Sequence, residues 1–247
     1  MTCMEVYIRD EIMKTARKRR VGRSLAAQGG TRKIMAIAKF LLIGSLLGVS
    51  VREIYGHGMM MDPVQRSSAW RKGFPVEPNY NDNELFCGGM NVQFEQNGGK
   101  CGECGDNYAL PRARPNENGG IYGTGLVVRR YNRSETINVN VKLTANHRGT
   151  FKFDLCLLER SNELETEDCF GRHPLLLADG SSSVPVPSTR MEFNVPIRLP
   201  GNVTCDRCVL RWTYRAGNNW GDCGDGQFAM GCGPQETFKN CADVAIL

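Results

Sequence analysis

Apolar and polar residues alternate along several stretches in the second half of the chain. Ile137, Val139, Val141 and Leu143 are separated by polar residues, and Phe151, Phe153, Leu155 and Leu157 repeat the spacing after a short turn at Arg148-Gly149. Cys208, Leu210, Trp212 and Tyr214 follow the same period. A period of two over such lengths predicts β-strands with one buried face. Further strands are expected at 125–131, 191–199 and 242–247. No part of 57–247 has a helical period of convincing length, and only short helical turns are expected within 60–120. Several antiparallel strands with turn-rich connections predict an all-β fold, an immunoglobulin- or fibronectin-III-like antiparallel β-sandwich with long disulfide-stapled loops.

Between the strand patterns the composition changes. Residues 57–120 are rich in Gly, Pro and Asn and hold three cysteines, Cys87, Cys101 and Cys104. Such a segment has too little apolar surface to order itself, so cross-links are expected to hold it. The stretch ADGSSSVPVPS at 178–188 reads as a flexible surface loop. The acidic cluster at 159–168 reads as a solvated loop or edge, because it lacks the regular ligand spacing of a calcium site. Trp212 falls on an alternating apolar face and is assigned to the core. Trp70 and Trp220 are expected to be buried or packed on disulfides. No internal repeat and no second domain are evident after residue 57.

The first 56 residues differ from the rest. Residues 9–33 are crowded with Arg and Lys, and IMAIAKFLLIGSLLGVSV at 34–51 is apolar apart from Lys39 and small residues. The apolar run is short for a membrane span, which needs about 20 residues, and fits the core of a secretory signal. Counted from Met35, the segment to Gly56 is 22 residues long, an ordinary signal length. Cleavage after Ile54-Tyr55-Gly56 is expected to remove 1–56 and to leave a domain over 57–247, free of the membrane, secreted and monomeric. The 11 basic and 4 acidic residues of the leader account for the overall charge of +5; the remainder holds 20 basic and 22 acidic residues. That balance excludes a nucleic-acid partner. Removing Cys3 leaves ten cysteines, Cys87, Cys101, Cys104, Cys156, Cys169, Cys205, Cys208, Cys223, Cys232 and Cys241. In an exported domain this even number predicts five disulfides, with the connectivity open. The same reasoning sets aside a four-cysteine zinc site, which Cys101-x-x-Cys104 and Cys205-x-x-Cys208 imitate. Asn132-Arg-Ser and Asn202-Val-Thr are N-glycosylation acceptors.

Cleavage at that point would make His57 the first residue. A histidine at a chain start offers an α-amine and an imidazole from one residue. Only two other histidines exist, His147 and His173. His147 follows an alternating segment and precedes a turn, the sheet-end position where a rigid scaffold presents functional groups. His173 reads as a solvated loop residue. Amine and imidazole nitrogens from His57 and His147 suit copper in both common oxidation states. Tyr80, in the loop segment at 79–83, is a candidate for stacking on a flat ligand ring.

Several ordered stretches tie these residues to a known family. They are His57-Gly58, NYNDNELFCGG at 79–89, GGKCG at 98–102 with Cys104-Gly-Asp106, Ala145-Asn-His147, Asn219-Trp-Gly221, and GCGPQE at 231–236 leading to Phe238 and Cys241-Ala-Asp-Val244. With them, 57–247 resembles the lytic polysaccharide monooxygenases of auxiliary activity family fifteen, also described as chitin-binding type-4 domains. The resemblance implies that His57 and His147 form a copper-holding histidine brace. It places Phe238 beside one axial metal position, where some relatives have Tyr, and Ala145 as the small residue on the other axial side. Gln235 or Glu236 would stand behind the ligands. The implied reaction is oxidative cleavage of an insoluble polysaccharide, chitin first and cellulose next, at C1 or C4 of the sugar. It consumes an external reductant and hydrogen peroxide or dioxygen, and needs no carboxylate pair of the hydrolytic kind. The alternative from another class is a non-catalytic chitin-binding module.

Overall fold

A computed structural model describes residues 57–247, and the expected leader over 1–56, with Cys3 and the residues before the cleavage point, lies outside the described residues. In chain order the elements are β1 (His57–Asp62), β2 (Arg129–Tyr131), β3 (Thr136–Ala145), β4 (Thr150–Leu157), α1 (Glu167–Arg172), β5 (Pro174–Leu177), β6 (Val184–Pro185), β7 (Glu192–Arg198), β8 (Cys205–Arg215), β9 (Trp220–Asp222), β10 (Phe228–Met230) and β11 (Thr237–Ile246). A 3-10 turn spans Arg66–Lys72 and a π-helical turn Asn91–Gln96. Among the described residues no helix is long and apolar enough to cross a membrane.

The strands form one ladder, ordered β1-β3-β7-β5-β4-β8-β11-β2, with β6 beside β4 and β9-β10 as a separate hairpin. Short β5 bonds to β7 through Leu176 and Leu177 and to β4 through Pro174 and Leu175. The ladder therefore folds over at β5, and β1-β3-β7 faces β4-β8-β11-β2 as a sandwich. Alternation explains the core between the layers. Ile137, Val139, Val141 and Leu143 of β3 and Phe193, Val195 and Ile197 of β7 point inward against Phe151, Phe153, Leu210, Trp212 and Tyr214. Phe151 meets the edge of Phe193 across the layers at a centroid distance of 5.0 Å.

The predicted sandwich is the observed one, with some local differences. Pairing is antiparallel except between β2 and β11, which run parallel. The strand expected at 125–131 is confined to Arg129–Tyr131, and the last strand begins five residues early, at Thr237. Strands β1, β5, β6, β9 and β10 were not expected, because none has an alternating apolar run of useful length. The acidic cluster is not a solvated loop throughout. The Thr166 hydroxyl accepts the Cys169 N–H at 3.1 Å and caps α1, whose first turn holds Glu167 and Asp168. Glu165 is fully buried, and Glu167 pairs with Arg211 and Lys239.

The five expected disulfides join Cys87 to Cys101, Cys104 to Cys241, Cys156 to Cys169, Cys205 to Cys208, and Cys223 to Cys232. Cys101 and Cys104 thus go to different partners, and no four-cysteine cluster forms among the described residues. Glu165 lies near Cys104 and Cys241, but a disulfide offers no thiolate to a metal.

A buried ionic cluster also ties the loop-rich 57–120 segment to the sandwich. Arg66, on the 3-10 turn, makes a two-pronged contact with Asp243 of β11, both distances 2.8 Å, and pairs with Glu165. Burial alone would lower the Arg66 pKa, but Asp243 and Glu165 outweigh it and hold the guanidinium above its ordinary value. Arg66→Ala would leave two buried carboxylates without their cation. It is expected to lower the unfolding free energy by about 3–5 kcal/mol in chemical denaturation, as for other broken buried pairs.

Candidate metal centre

Two backbone arrangements bring residues 57 and 147 to one end of the sandwich. The first is the β1–β3 pairing, in which His57 lies opposite Ala145. Gly58 permits it: a Cβ there would stand 2.6 Å from Leu143 Cδ2 and 3.0 Å from Trp212 Cη2. The 79–84 segment closes over this edge. Gly58 N–H donates to the Asn83 carbonyl at 3.0 Å, and Asn83 Nδ2 donates to Thr144 Oγ1 at 3.0 Å.

The second arrangement is the 146–149 connection, which crosses from β3 in one layer to β4 in the other. Asn146 secures it, donating to the Pro187 carbonyl at 3.0 Å and the Arg190 carbonyl at 2.5 Å while its Oδ1 accepts the Arg148 N–H at 2.7 Å. Gly149 has φ +95°, and a Cβ there would overlap the Arg215 carbonyl oxygen at 2.0 Å. His147 is held on both backbone sides. Its N–H donates to the Tyr214 hydroxyl at 2.9 Å, and its carbonyl accepts from Gly217 N–H at 2.9 Å. Burial pushes the Tyr214 phenol above its ordinary pKa, so it keeps its proton at neutral pH.

Each imidazole has one nitrogen engaged. His57 Nε2 lies 3.2 Å from Glu84 Oε1. His147 Nδ1 lies 3.3 Å from Glu236 Oε2 and 3.0 Å from Asn218 Nδ2. A carboxylate on one ring nitrogen fixes the tautomer and directs the other nitrogen to a metal. That leaves His57 Nδ1, the ring nitrogen nearest its own main-chain nitrogen, and His147 Nε2. Two imidazole nitrogens with an adjacent α-nitrogen are donors that copper accepts, so the residues present fit that ion.

The remaining sequence-predicted residues are distributed unevenly. Ala145 is beside His57 in the ladder. Phe238 is buried opposite Tyr214 in the β8–β11 pairing, stacked on it at 5.5 Å and on Phe86 at 6.0 Å, and it has no oxygen to offer. Gln235 and Glu236 part company. The Gln235 amide bonds Asn219 and the Cys232 carbonyl, which fixes the neighbouring loop, whereas Glu236 faces His147. Tyr80 is exposed, on the loop that supplies Asn83 and Glu84, with Trp70 edge-on at 5.3 Å. His173 ends α1, and Asn132 and Asn202 lie in the connections before β3 and after β7. Trp212 is buried as expected, but Trp220 is not in the core: it projects from β9 and is 66% exposed. Trp70 is half-buried. Sequence reasoning missed Glu84, Asn218 and the Tyr214 hydroxyl. Glu84 sits inside the 79–89 motif and Asn218 directly precedes Asn219-Trp-Gly221, so motif membership was the available signal.

Comparison with known proteins shows the family. The family described as lytic polysaccharide mono-oxygenase, cellulose-degrading, matches residues 57–244. A solved lytic polysaccharide monooxygenase of auxiliary activity family 15 from Thermobia domestica, in the Cu(I) state, is 53% identical, covering 77% of this chain and 98% of its own, with a TM-score of 0.76. No curated protein matches the chain. The chain belongs to the lytic polysaccharide monooxygenases, within auxiliary activity family 15. It is thus an enzyme that oxidises polysaccharide.

Tyr214→Phe would strip the His147 N–H of its acceptor in a buried setting. The variant is expected to lose about 1–3 kcal/mol of stability, read as a lower denaturation midpoint, and to bind copper more weakly because the 146–149 connection loosens.

Proposed function

We propose that the protein is a secreted, copper-dependent monooxygenase that cleaves chitin, and cellulose second, with His57 and His147 as its metal ligands. The observation that supports this most is the engagement of one nitrogen on each ring by a carboxylate, Glu84 on His57 and Glu236 on His147, which leaves the two nitrogens that can converge on one ion. The third donor is the α-amine that cleavage after Gly56 would release. The family match beginning at residue 57 accords with that cleavage.

When bound, copper supplies one-electron chemistry with dioxygen or hydrogen peroxide, drawn from an external reductant, that oxidises C1 or C4 of a sugar. The protein's residues do the rest. Glu84 and Glu236 hold the rings in orientation, so that little reorganises during turnover. Phe238 would present an apolar ring toward a bound copper and, having no oxygen, would add no ligand. Ala145 keeps the bulk beside His57 small. Tyr80, 77% exposed, offers a flat ring to a sugar face at the same end of the sandwich. Asn132 and Asn202, both exposed, are the proposed glycosylation sites. They flank Ser134 and Pro200, which bond at 3.4 Å where β3 begins. Strand β3 is about 30 Å long and ends beside His147, so glycans there would leave the metal end bare.

Copper-loaded protein beginning at His57, incubated with chitin or cellulose and ascorbate, is expected to release oxidised oligosaccharides, detected by mass spectrometry. Adsorption with no oxidised product would favour the binding module. His147→Ala is expected to abolish release and weaken copper binding by well over the 10–100-fold typical of losing a residue behind the ligands. A form with one residue added before His57 should be nearly as impaired, because the amine becomes an amide; undiminished turnover by it would remove the proposed coordination.

A further inference from the structure

A cleft lies just behind the metal end, on the outer face of the β4-β8-β11 layer. Its floor is the start of β11. Phe238 points into the core, so its neighbours Thr237 and Lys239 point outward. The 99–108 loop rises beside them with Lys100, Glu103 and Tyr108, and Glu167 of α1 completes the lining. The space is about 430 Å3, the size of a small-molecule site. Two disulfides pin the wall, Cys87 to Cys101 and Cys104 to Cys241 of β11, so the cleft is preformed.

The charges here leave room for an anion. Glu103 and Glu117 share Arg112 and Arg114, and Glu167 is held by Arg211 at 2.7 Å and Lys239 at 2.6 Å. Lys100 is exposed and has no carboxylate partner among the described residues; its Nζ lies 5.2 Å from the centre of the Tyr108 ring. Burial lowers the Lys239 pKa and the Arg211 charge adds to this, a strain that an anion beside Lys239 would relieve. Gln93, buried in the wall, donates from Nε2 to the Gly99 carbonyl at 3.1 Å, and its Oε1 meets no donor among the described residues. It is an acceptor left for a hydroxyl or a bound water. None of these residues holds the metal, yet the floor adjoins it. One peptide bond joins Thr237 to Glu236, whose Oε2 lies 3.3 Å from His147 Nδ1.

We propose that this cleft docks the external reductant, a small monoanion with neighbouring hydroxyls on a flat ring: an enediol or a hydroxylated aromatic acid. Its charge meets Lys100 and Lys239, its ring lies against Tyr108, and its hydroxyls donate to the Glu103 and Glu167 carboxylates. One hydroxyl O–H bond breaks. The electron passes by way of Thr237 and Glu236 to the His147 ring and reduces Cu(II) to Cu(I). The proton passes to water at the mouth, where Lys100 and Tyr108 are exposed, and the resonance-stabilised radical departs. The cleft opens on the sheet face rather than on the end that carries the histidines, so the metal could be reduced while a polymer covers that end. The proposal rests on the monooxygenase reading above and adds to it the place where the electron enters.

Stopped-flow reduction of the Cu(II)-loaded protein beginning at His57 tests this, with ascorbate and gallate as separate probes for the two ligand sources. A docking site makes the rate saturate with probe concentration. Lys100→Glu is expected to raise the half-saturating concentration about tenfold, as for loss of one charge-assisted contact, while Lys100→Arg stays near the parent. Lys142→Glu, an exposed charge reversal on β3 in the other layer, should match the parent. Lys100 is exposed, so melting temperature and copper affinity should not change with its substitution. In the Cu(I)-loaded protein under argon, amide shifts in nuclear magnetic resonance on adding either probe should cluster at Lys100, Tyr108, Thr237 and Lys239. A rate proportional to probe concentration throughout, equal effects of Lys100→Glu and Lys142→Glu, or shifts confined to the neighbours of His57 and His147 would each overturn the cleft, and continued release of oxidised products would then leave the enzyme reading intact. Saturating reduction that is sensitive to Lys100, with no oxidised product from chitin or cellulose, would overturn the polysaccharide reading and leave the cleft standing.

Discussion

The pairing of His57 with Ala145 is the constraint on which the rest of the site depends. Residues 57 and 147 are 90 positions apart and share no local motif. Edge strand β1 lies against β3 in a register that stops two residues short of His147, and the 146–149 connection then turns from one layer to the other. The pairing in turn needs Gly58, since Leu143 and the ring of Trp212 occupy the space a side chain would take. A core residue and a core ring thereby dictate how closely His57 approaches the centre. The alternating strands make a rigid frame, and the frame ends where the chemistry begins.

Around that frame the protein settles ring orientation with groups remote in sequence. Glu84 comes from the loop over β1, Asn218 from the root of the β9–β10 hairpin and Glu236 from the entry to β11. Tyr214 joins the two scales. Its ring packs in the core against Phe151, Trp212 and Phe238, and its hydroxyl accepts the His147 N–H. The loop-rich segment between β1 and β2 has little apolar surface, and it is anchored by cross-links instead: Cys104 to Cys241, and Arg66 to Asp243 and Glu165. Strand β11 receives both anchors, and Glu236 and Phe238 sit at its beginning.

Much of the fold was legible because it is written in a period of two. Strands β3 and β7 bury alternate residues, β4 and β8 bury their alternating apolar face together with Cys156, Val209 and Arg211 on the other, and each was readable from its own sequence. The short strands were not, since β1, β5, β9 and β10 owe their state to partners far along the chain and not to their own pattern. Trp220 shows the same limit in another form. A tryptophan beside a cysteine-rich turn reads as buried, yet it lies on a ribbon whose inner face has room only for Gly221 and Ala229. At the candidate metal centre, the two histidines stand out in the sequence by their positions, one at the expected cleavage junction and one at a sheet end. For Glu84 and Asn218 the motifs mark the neighbourhood but not the role, because the feature that selects them is a ring nitrogen brought close by folding. The burial of Glu165 was equally hidden, since a carboxylate in an acidic run gives no sign of an arginine 99 residues away.

Electron paramagnetic resonance of the Cu(II)-loaded protein tests the central claim most directly, by counting the nitrogens bound to the metal. Protein beginning at His57 should show three, two from imidazole and one from the amine, and adding a residue before His57 should remove the amine. Two nitrogens in the form beginning at His57, or a spectrum unchanged by the added residue, would contradict the account.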